Sequence, residues 1–277
     1  MSASLFFNGV RWEYYQCMLM PAVPPHHEIE LNKHEQKQLL KQSGALILRW
    51  TENWDNSDCG AFWFVVKDNF AGIQEFGRNT RSKIRRGLRR NNVIMIDAGI
   101  LAKEGYKVYK TAFGRYKNDS KPLSEKKFNE RLDLLNSDEY DFWGVYNNEE
   151  LVAYCEVRKL QQAINTSVIK FHPDYLKDYT SHALFFSLID YYLKNQSLCY
   201  ITNGARNISH DTDIHNFLID KFGFRKAYCK LNLMYKPEFG IVVSVLYPFR
   251  KLLKKIPGKF MKRMHSVLIQ EYISRHS

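Results

Sequence analysis

The run Asp141-Phe-Trp-Gly-Val-Tyr146, the link Asn147-Asn148-Glu149-Glu150 and the run Leu151-Val-Ala-Tyr-Cys-Glu-Val-Arg158 decide the fold. Both runs are rich in aromatic and β-branched residues, and asparagine tolerates the positive φ that a tight turn needs, so the stretch predicts a β-hairpin. A third strand follows over 163–171 and stops at His172-Pro173. Beyond it the pattern reads helix (181–195), strand (198–202), helix (211–222, ended by Gly223) and strand (227–234). That order predicts an α+β fold, an α/β sandwich in which helices pack on one mixed sheet.

Working outward, residues 1–76 mix strand-like runs at 11–15, 45–50 and 61–67 with a polar helix at 33–42, an N-terminal α+β lobe. Arg78–Arg90 then carries seven cations and no carboxylate in thirteen residues. Thr80 is of the type that caps helices, and Ile84 and Leu88 lie four apart on one apolar stripe, so the run predicts a docked helix. Arg81, Arg85 and Arg89 form one outward row, with Arg86 and Arg90 in another. Like charges so concentrated repel one another unless an anion offsets them. Arg81, Arg85, Arg86 and Arg89 are therefore candidate anion-binding residues, against the alternative that they pair with carboxylates elsewhere. A strand at 93–96 and helices at 99–113 and 124–135, the second capped by Ser124, complete a connecting region over 77–139. The main core spans 140–237 and a basic segment follows over 238–277.

With 277 residues, 45% of them hydrophobic, the chain is long enough to fold around one large core or two smaller ones. A net charge of +12 favours anionic partners. Cys17, Cys59, Cys155, Cys199 and Cys229 are an odd set without a close pair, which argues for reduced thiols in the cytoplasm and against zinc or a disulfide framework. The first residues lack the pattern of a secretory leader, so secretion is not expected. The longest apolar stretch, 239–249, is about half of the ~20 residues a membrane-spanning helix needs.

Asn216-Phe-Leu-Ile-Asp-Lys-Phe-Gly-Phe224 resembles the late helix and turn of the GNAT acyltransferases, and the element order over 140–237 resembles the second half of their fold. Arg78–Arg90, joined to Asn91-Asn-Val-Ile-Met-Ile96, is similar to the FemAB-like branch, in which an arginine-rich helix precedes the acyltransferase core. The resemblance implies transfer of an acetyl or aminoacyl group from acyl-CoA or aminoacyl-tRNA to an amine or hydroxyl. The expected acceptor is a phosphorylated small molecule or a lipid-linked cell-envelope precursor, with tRNA as a partner. No permanently bound cofactor is implied, acyl-CoA being a co-substrate.

In GNAT proteins the turn before one helix offers backbone amides to the CoA pyrophosphate, a task helix N-termini suit. Tyr179, Thr180, Ser181 and His182 correspond to that turn, with Tyr179 and Ser181 where glycines are expected and Thr180 or Ser181 able to cap the helix. FemAB-like proteins lack a standard CoA loop, which this departure fits. The family's tyrosine acid falls on Ile219 here, so Tyr154, Tyr175 and Tyr179 are the substitutes considered.

Acyl transfer needs a base and oxyanion donors. Strict alternation places Val152, Tyr154, Glu156 and Arg158 on one face of their strand, which predicts that this face opens onto a cleft. Glu156 is the leading candidate base, His172 the second, and Tyr154 the candidate acid. The competing readings are that Glu156 pairs with Arg158 or Lys170 and that His172 only ends a strand. Cys155 alternates with apolar residues and reads as core. His210 and His215, five apart, do not share a helix face, so no metal site is expected.

The 238–277 segment interleaves Leu252, Leu253, Ile256, Phe260, Met264 and Leu268 with Arg250, Lys251, Lys254, Lys255, Lys259, Lys262 and Arg263. Such a pattern suits either a helix docked on the domain or one lying on an anionic membrane surface. Two non-catalytic alternatives accompany the acyltransferase reading: a basic nucleic-acid-binding protein and a peripheral membrane protein on the same frame.

Overall fold

The computed structural model describes residues 4–277 apart from 58, 115–120, 136–137, 209–212 and 255. In chain order its elements are β1 (Ser4–Phe7), β2 (Val10–Tyr15), β3 (Met18–Pro21), α1 (Lys33–Ser43), β4 (Ile47–Asn56), β5 (Trp63–Lys67), α2 (Arg78–Arg90), β6 (Asn92–Ile96), α3 (Ala98–Phe113), α4 (Glu125–Asp133), β7 (Tyr140–Asn147), β8 (Glu150–Leu160), β9 (Ala163–Phe171), α5 (Thr180–Ile189), β10 (Tyr200–Ala205), α6 (Ile214–Phe222), β11 (Arg225–Tyr235), α7 (Pro237–Leu246), α8 (Arg250–Leu253) and α9 (Lys259–Ser274). The chain divides into two compact units, 1–64 with 205–212 and 226–277, and 65–204 with 213–225. This division differs from the linear one drawn from the sequence. Most of β11 and the whole basic segment 238–277 join the N-terminal residues, because pairing and packing join segments distant in sequence.

In the first unit the strands run in the order β1-β2-β3-β4-β11, with β3 and β4 parallel and the other neighbours antiparallel. Asn32 and Glu35 start α1 as a capping box, each side chain accepting the other's backbone N–H, and Gly44 ends it at φ 66°. Leu39 and Leu40 of α1 bury against Trp12, Leu19, Leu48 and Trp50. A second cluster joins Met18 and Ile47 to Val243 of α7 and to Met264, Val267 and Leu268 of α9. The basic segment is thus docked through one side.

The second unit's strands run β5-β10-β9-β8-β7-β6, with β9 and β10 parallel and β6 to β9 antiparallel. The predicted hairpin is β7 and β8, turned at Asn148 and Glu149, both at positive φ. Leu101 and Val108 of α3 and Phe128 and Leu132 of α4 cover one sheet face, burying Phe142, Leu151 and Tyr154. Trp143, one residue on from Phe142, points to the other face, where its indole N–H donates to the Tyr192 hydroxyl just past α5. Helices therefore flank this sheet on both faces, the mixed α+β architecture the sequence predicts.

Two extra residues interrupt the alternation. Val152 on β8 is unmatched between the pairs Tyr146–Leu151 and Val145–Ala153, and Ser167 on β9 between Val157–Thr166 and Glu156–Val168. Each is a β-bulge that turns a strand and re-aims its side chains. The first puts Leu151 on the same side as Tyr154, where strict period-2 counting separates them.

Candidate active site

Parallel β9 and β10 pair over three residues only, Ala163–Asn165 against Tyr200–Thr202, and then part. The Ser167 bulge lies just past the last pair, so β9 bends where β10 leaves it. A notch at the carboxyl ends of two parallel strands is the usual place for a ligand in an α/β sheet. Beyond Thr166, β9 keeps β8 on one edge while its other edge, with backbone N–H groups, faces the notch.

Polar side chains span the point where the strands part. Asn203 Nδ2 donates to Thr166 Oγ1 at 2.6 Å and to the Thr166 carbonyl at 3.2 Å. Thr166 Oγ1 donates to the Thr202 carbonyl, and Thr202 Oγ1 donates to the Val65 carbonyl while accepting from Gly204 N–H. His215 of α6 is buried, its Nε2 3.2 Å from the Asn203 carbonyl. Burial pushes its pKa down, outweighing the bond to Asn203, and because a carbonyl only accepts, the contact requires Nε2–H as the donor. Sequence reasoning missed this constellation. The available signals were Thr166-Ser167 inside one strand and Thr202-Asn203-Gly204 ending another.

The N-terminus of α5 follows β9. Neither Thr180 nor Ser181 caps it: Tyr179 stands at the cap in left-handed conformation, φ 58°, and no side chain bonds the first turn. Thr180 is buried, with Oγ1 donating to the Tyr175 carbonyl. His182 is 7% exposed, wedged against the rings of Tyr179, Phe217 and Phe222. Burial, reinforced by Lys83 and Lys221, lowers its pKa to about 4. Its Nε2 is buried without a hydrogen-bond partner among the described residues.

The arginine helix α2 packs on this turn. Its cap is Gly77, without a side-chain bond, and Thr80 is buried inside the first turn, so the expected Thr80 cap is corrected. The buried face is Thr80, Ile84 and Gly87, and Leu88 is exposed at 39%. Gly87 takes the place expected for Leu88 because the helices touch there: a Cβ on Gly87 would lie 2.7 Å from the Tyr179 carbonyl oxygen and 3.3 Å from Ala183 Cβ. Alanine at an ordinary helix glycine gains about 1 kcal/mol. Gly87→Ala is instead expected to lose about 1 to 2 kcal/mol through overpacking, seen as a lower urea midpoint.

The structure sorts the arginines. Arg81 donates to Gln74, Arg90 pairs with Asp178 at 2.7 Å, and the Arg86 guanidinium lies 4.7 Å from the centre of the Tyr179 ring. Asn91 ties the end of α2 to the same turn, its Nδ2 donating to the carbonyls of Gly87 and Asp178. Arg85 and Arg89 are exposed and make no ion pair among the described residues. Arg89 and Arg90 also line a surface cleft of about 640 Å³ with Asn92, Tyr146 and Glu149.

The three candidate catalytic side chains do not meet at the notch. Glu156 is 1% exposed and takes a two-point ion pair from Arg131 of α4, Nη1 to Oε2 at 2.8 Å and Nη2 to Oε1. Its face is covered by α3 and α4, which corrects the expectation that it opens onto a cleft, and its partner is neither Arg158 nor Lys170. Tyr154 is wholly buried in that layer. His172 ends β9 and caps the following turn by accepting from Asp174 N–H. Five residues of extended chain, roughly 16 Å, separate it from Ser167. Cys155 is buried and its thiol pKa pushed well up by burial, as suits a core residue. His210 lies outside the described residues, and no group of three or more metal-ligating side chains occurs among those described.

No protein-family model and no curated protein matches the sequence. Solved structures do match the fold. The C-terminal domain of a protein named as a lysylphosphatidylglycerol synthetase, from Agrobacterium fabrum, superposes with a TM-score of 0.55 at 10% identity, over 88% of this chain and 89% of that one. FemX gives 0.54 at 10% identity over 81% and 84%. The L-PGS of Bacillus licheniformis gives 0.51 at 14% identity over 94% and 85%. The chain therefore shares the fold of these structures, a mixed sheet flanked by helices.

Proposed function

We propose that this protein is an acyltransferase whose donor enters the notch between β9 and β10. The observation that carries the reading is the parting of those strands, and the N-terminus of α5, which follows β9 and packs against α2, is the second part of the proposed site. The donor carbonyl sits against the free edge of β9 past Ser167, whose amides hydrogen-bond the oxygen as it gains charge. The donor's anionic portion meets the first turn of α5 and Arg85 and Arg89. Attack by an amine or hydroxyl forms the new bond to the acyl carbon and breaks the donor's C–S or C–O bond. The proton lost by the acceptor is balanced by the one the leaving group gains. Asn203 and His215 are positioning residues that hold the branch point in shape.

We favour aminoacyl-tRNA over acyl-CoA as donor. The turn lacks glycines at Tyr179 and Ser181, and the fold neighbours are named for FemX and for lysylphosphatidylglycerol synthesis. The acceptor proposed is a phosphorylated or lipid-linked precursor, and the five free cysteines suit the cytoplasm. The test is transfer of labelled acyl groups from a panel of aminoacyl-tRNAs and CoA thioesters, with Arg85→Glu/Arg89→Glu as the comparison variant. Those side chains are exposed, so the variant should keep its melting temperature within a few degrees. Its donor KM should rise tenfold or more. An unchanged KM for an active donor removes the arginine row from the donor site.

A further inference from the structure

The clearest unassigned surface is on the first unit. Along α7, Phe239, Val243 and Leu246, with Tyr247 just past its end, pack inward with Met18, Ile47, Met264 and Leu268. The opposite side is apolar as well: Ile241 is 67% exposed, Val245 61%, Phe249 54%, Leu252 64% and, at the start of α9, Phe260 71%. A helix apolar all round is ordinarily buried on every side. Here one side has its core and the other has none among the described residues. Single exposed leucines are unremarkable, but a row of large aliphatic and aromatic side chains over consecutive turns is an interaction surface.

Charge identifies the occupant. Residues 237–263 hold seven cations, Arg250, Lys251, Lys254, Lys255, Lys259, Lys262 and Arg263, and one carboxylate, Glu238. Lys251, Lys254 and Lys259 are exposed among the apolar row. A second copy presenting the same face would set these cations against themselves. A nucleic acid would satisfy the cations and leave the apolar row in water. An anionic bilayer satisfies both, with ammonium groups at the phosphates and the row at the acyl boundary. We propose that the outward face of α7 and α8, with the first turn of α9, docks the protein on an anionic lipid surface. This rests on neither the notch nor the donor.

The test is flotation of the full chain with vesicles of phosphatidylcholine containing 30 mol% phosphatidylglycerol, against phosphatidylcholine alone. Binding is expected to the anionic vesicles and to fall at high salt, since the charge attraction is screened within ~8 Å at physiological ionic strength. Two triple variants, Phe249→Ser/Leu252→Ser/Phe260→Ser and Lys251→Glu/Lys254→Glu/Lys259→Glu, should each lower the partition coefficient at least tenfold. The second set leaves the apolar row intact and so stands if the first folds poorly. Absent binding by the unmodified chain, or binding that neither variant weakens, overturns the proposal. So does a lipid-free dimer, seen in sedimentation, that the serine variant converts to monomer, because the face would then be covered by a second copy.

Discussion

Arg131→Met is expected to destabilise the protein by about 3 kcal/mol, near the low end of the ~3 to 5 kcal/mol seen when one partner of a buried ion pair is removed. Glu156 is 1% exposed, so its carboxylate would be left uncompensated inside the α3 and α4 layer. The lower figure applies because the Arg131 side chain is 34% exposed and water can follow it out. Glu156→Gln removes the charge and leaves Arg131 within reach of solvent, so its cost should be smaller. The double variant should be more stable than Arg131→Met alone, a coupling that urea denaturation of the four proteins reads as a double-mutant cycle. The result also decides between two roles. A structural Glu156 gives a stability loss with turnover retained in Glu156→Gln, whereas a catalytic base gives lost turnover with stability retained.

His182 makes stability fall in acid. Its folded-state pKa of about 4 lies below the ordinary 6.5 expected of the unfolded chain. Between those values the unfolded chain holds the proton and the folded one does not, so the stabilising contribution is present above pH 6.5 and is lost as pH falls toward 4. At ~1.4 kcal/mol per pH unit the gap is worth about 3 kcal/mol. His182→Phe, in a pocket already lined by Tyr179, Phe217 and Phe222, should flatten the profile by that amount relative to the unmodified protein. Carboxylates and the other histidines titrate in both proteins and cancel in the comparison. Parallel profiles from pH 7 to 4 would mean that His182 is not held neutral in the fold.

The fold was legible where local chemistry and tertiary structure agree. Asn148 and Glu149 turn the hairpin between strands whose composition announces them, and Ser124 caps α4 by accepting from Lys127 N–H. Legibility failed where a distant partner decides the outcome. Thr80 has the chemistry of a cap but lies under the helix, and Leu88 lost its place to Gly87 because α5 approaches too closely for a side chain. The bulges at Val152 and Ser167 break the period of two, so strand faces counted from sequence drift. Nothing in the strand of Glu156 signals Arg131, 25 residues away on another element, so sequence alone points its carboxylate to an open cleft. Thr166, Asn203 and His215 are ordinary residues until the parting of two strands brings them together.

The central claim is that the free edge of β9 and the first turn of α5 form one donor site, and hydrogen–deuterium exchange reads those backbone amides directly. Adding the donor that supports transfer, with a non-transferable analogue to hold it in place, should slow exchange at 168–171 and 180–182 together. Protection confined to other segments, with neither of these responding to a donor that turns over, would contradict the account.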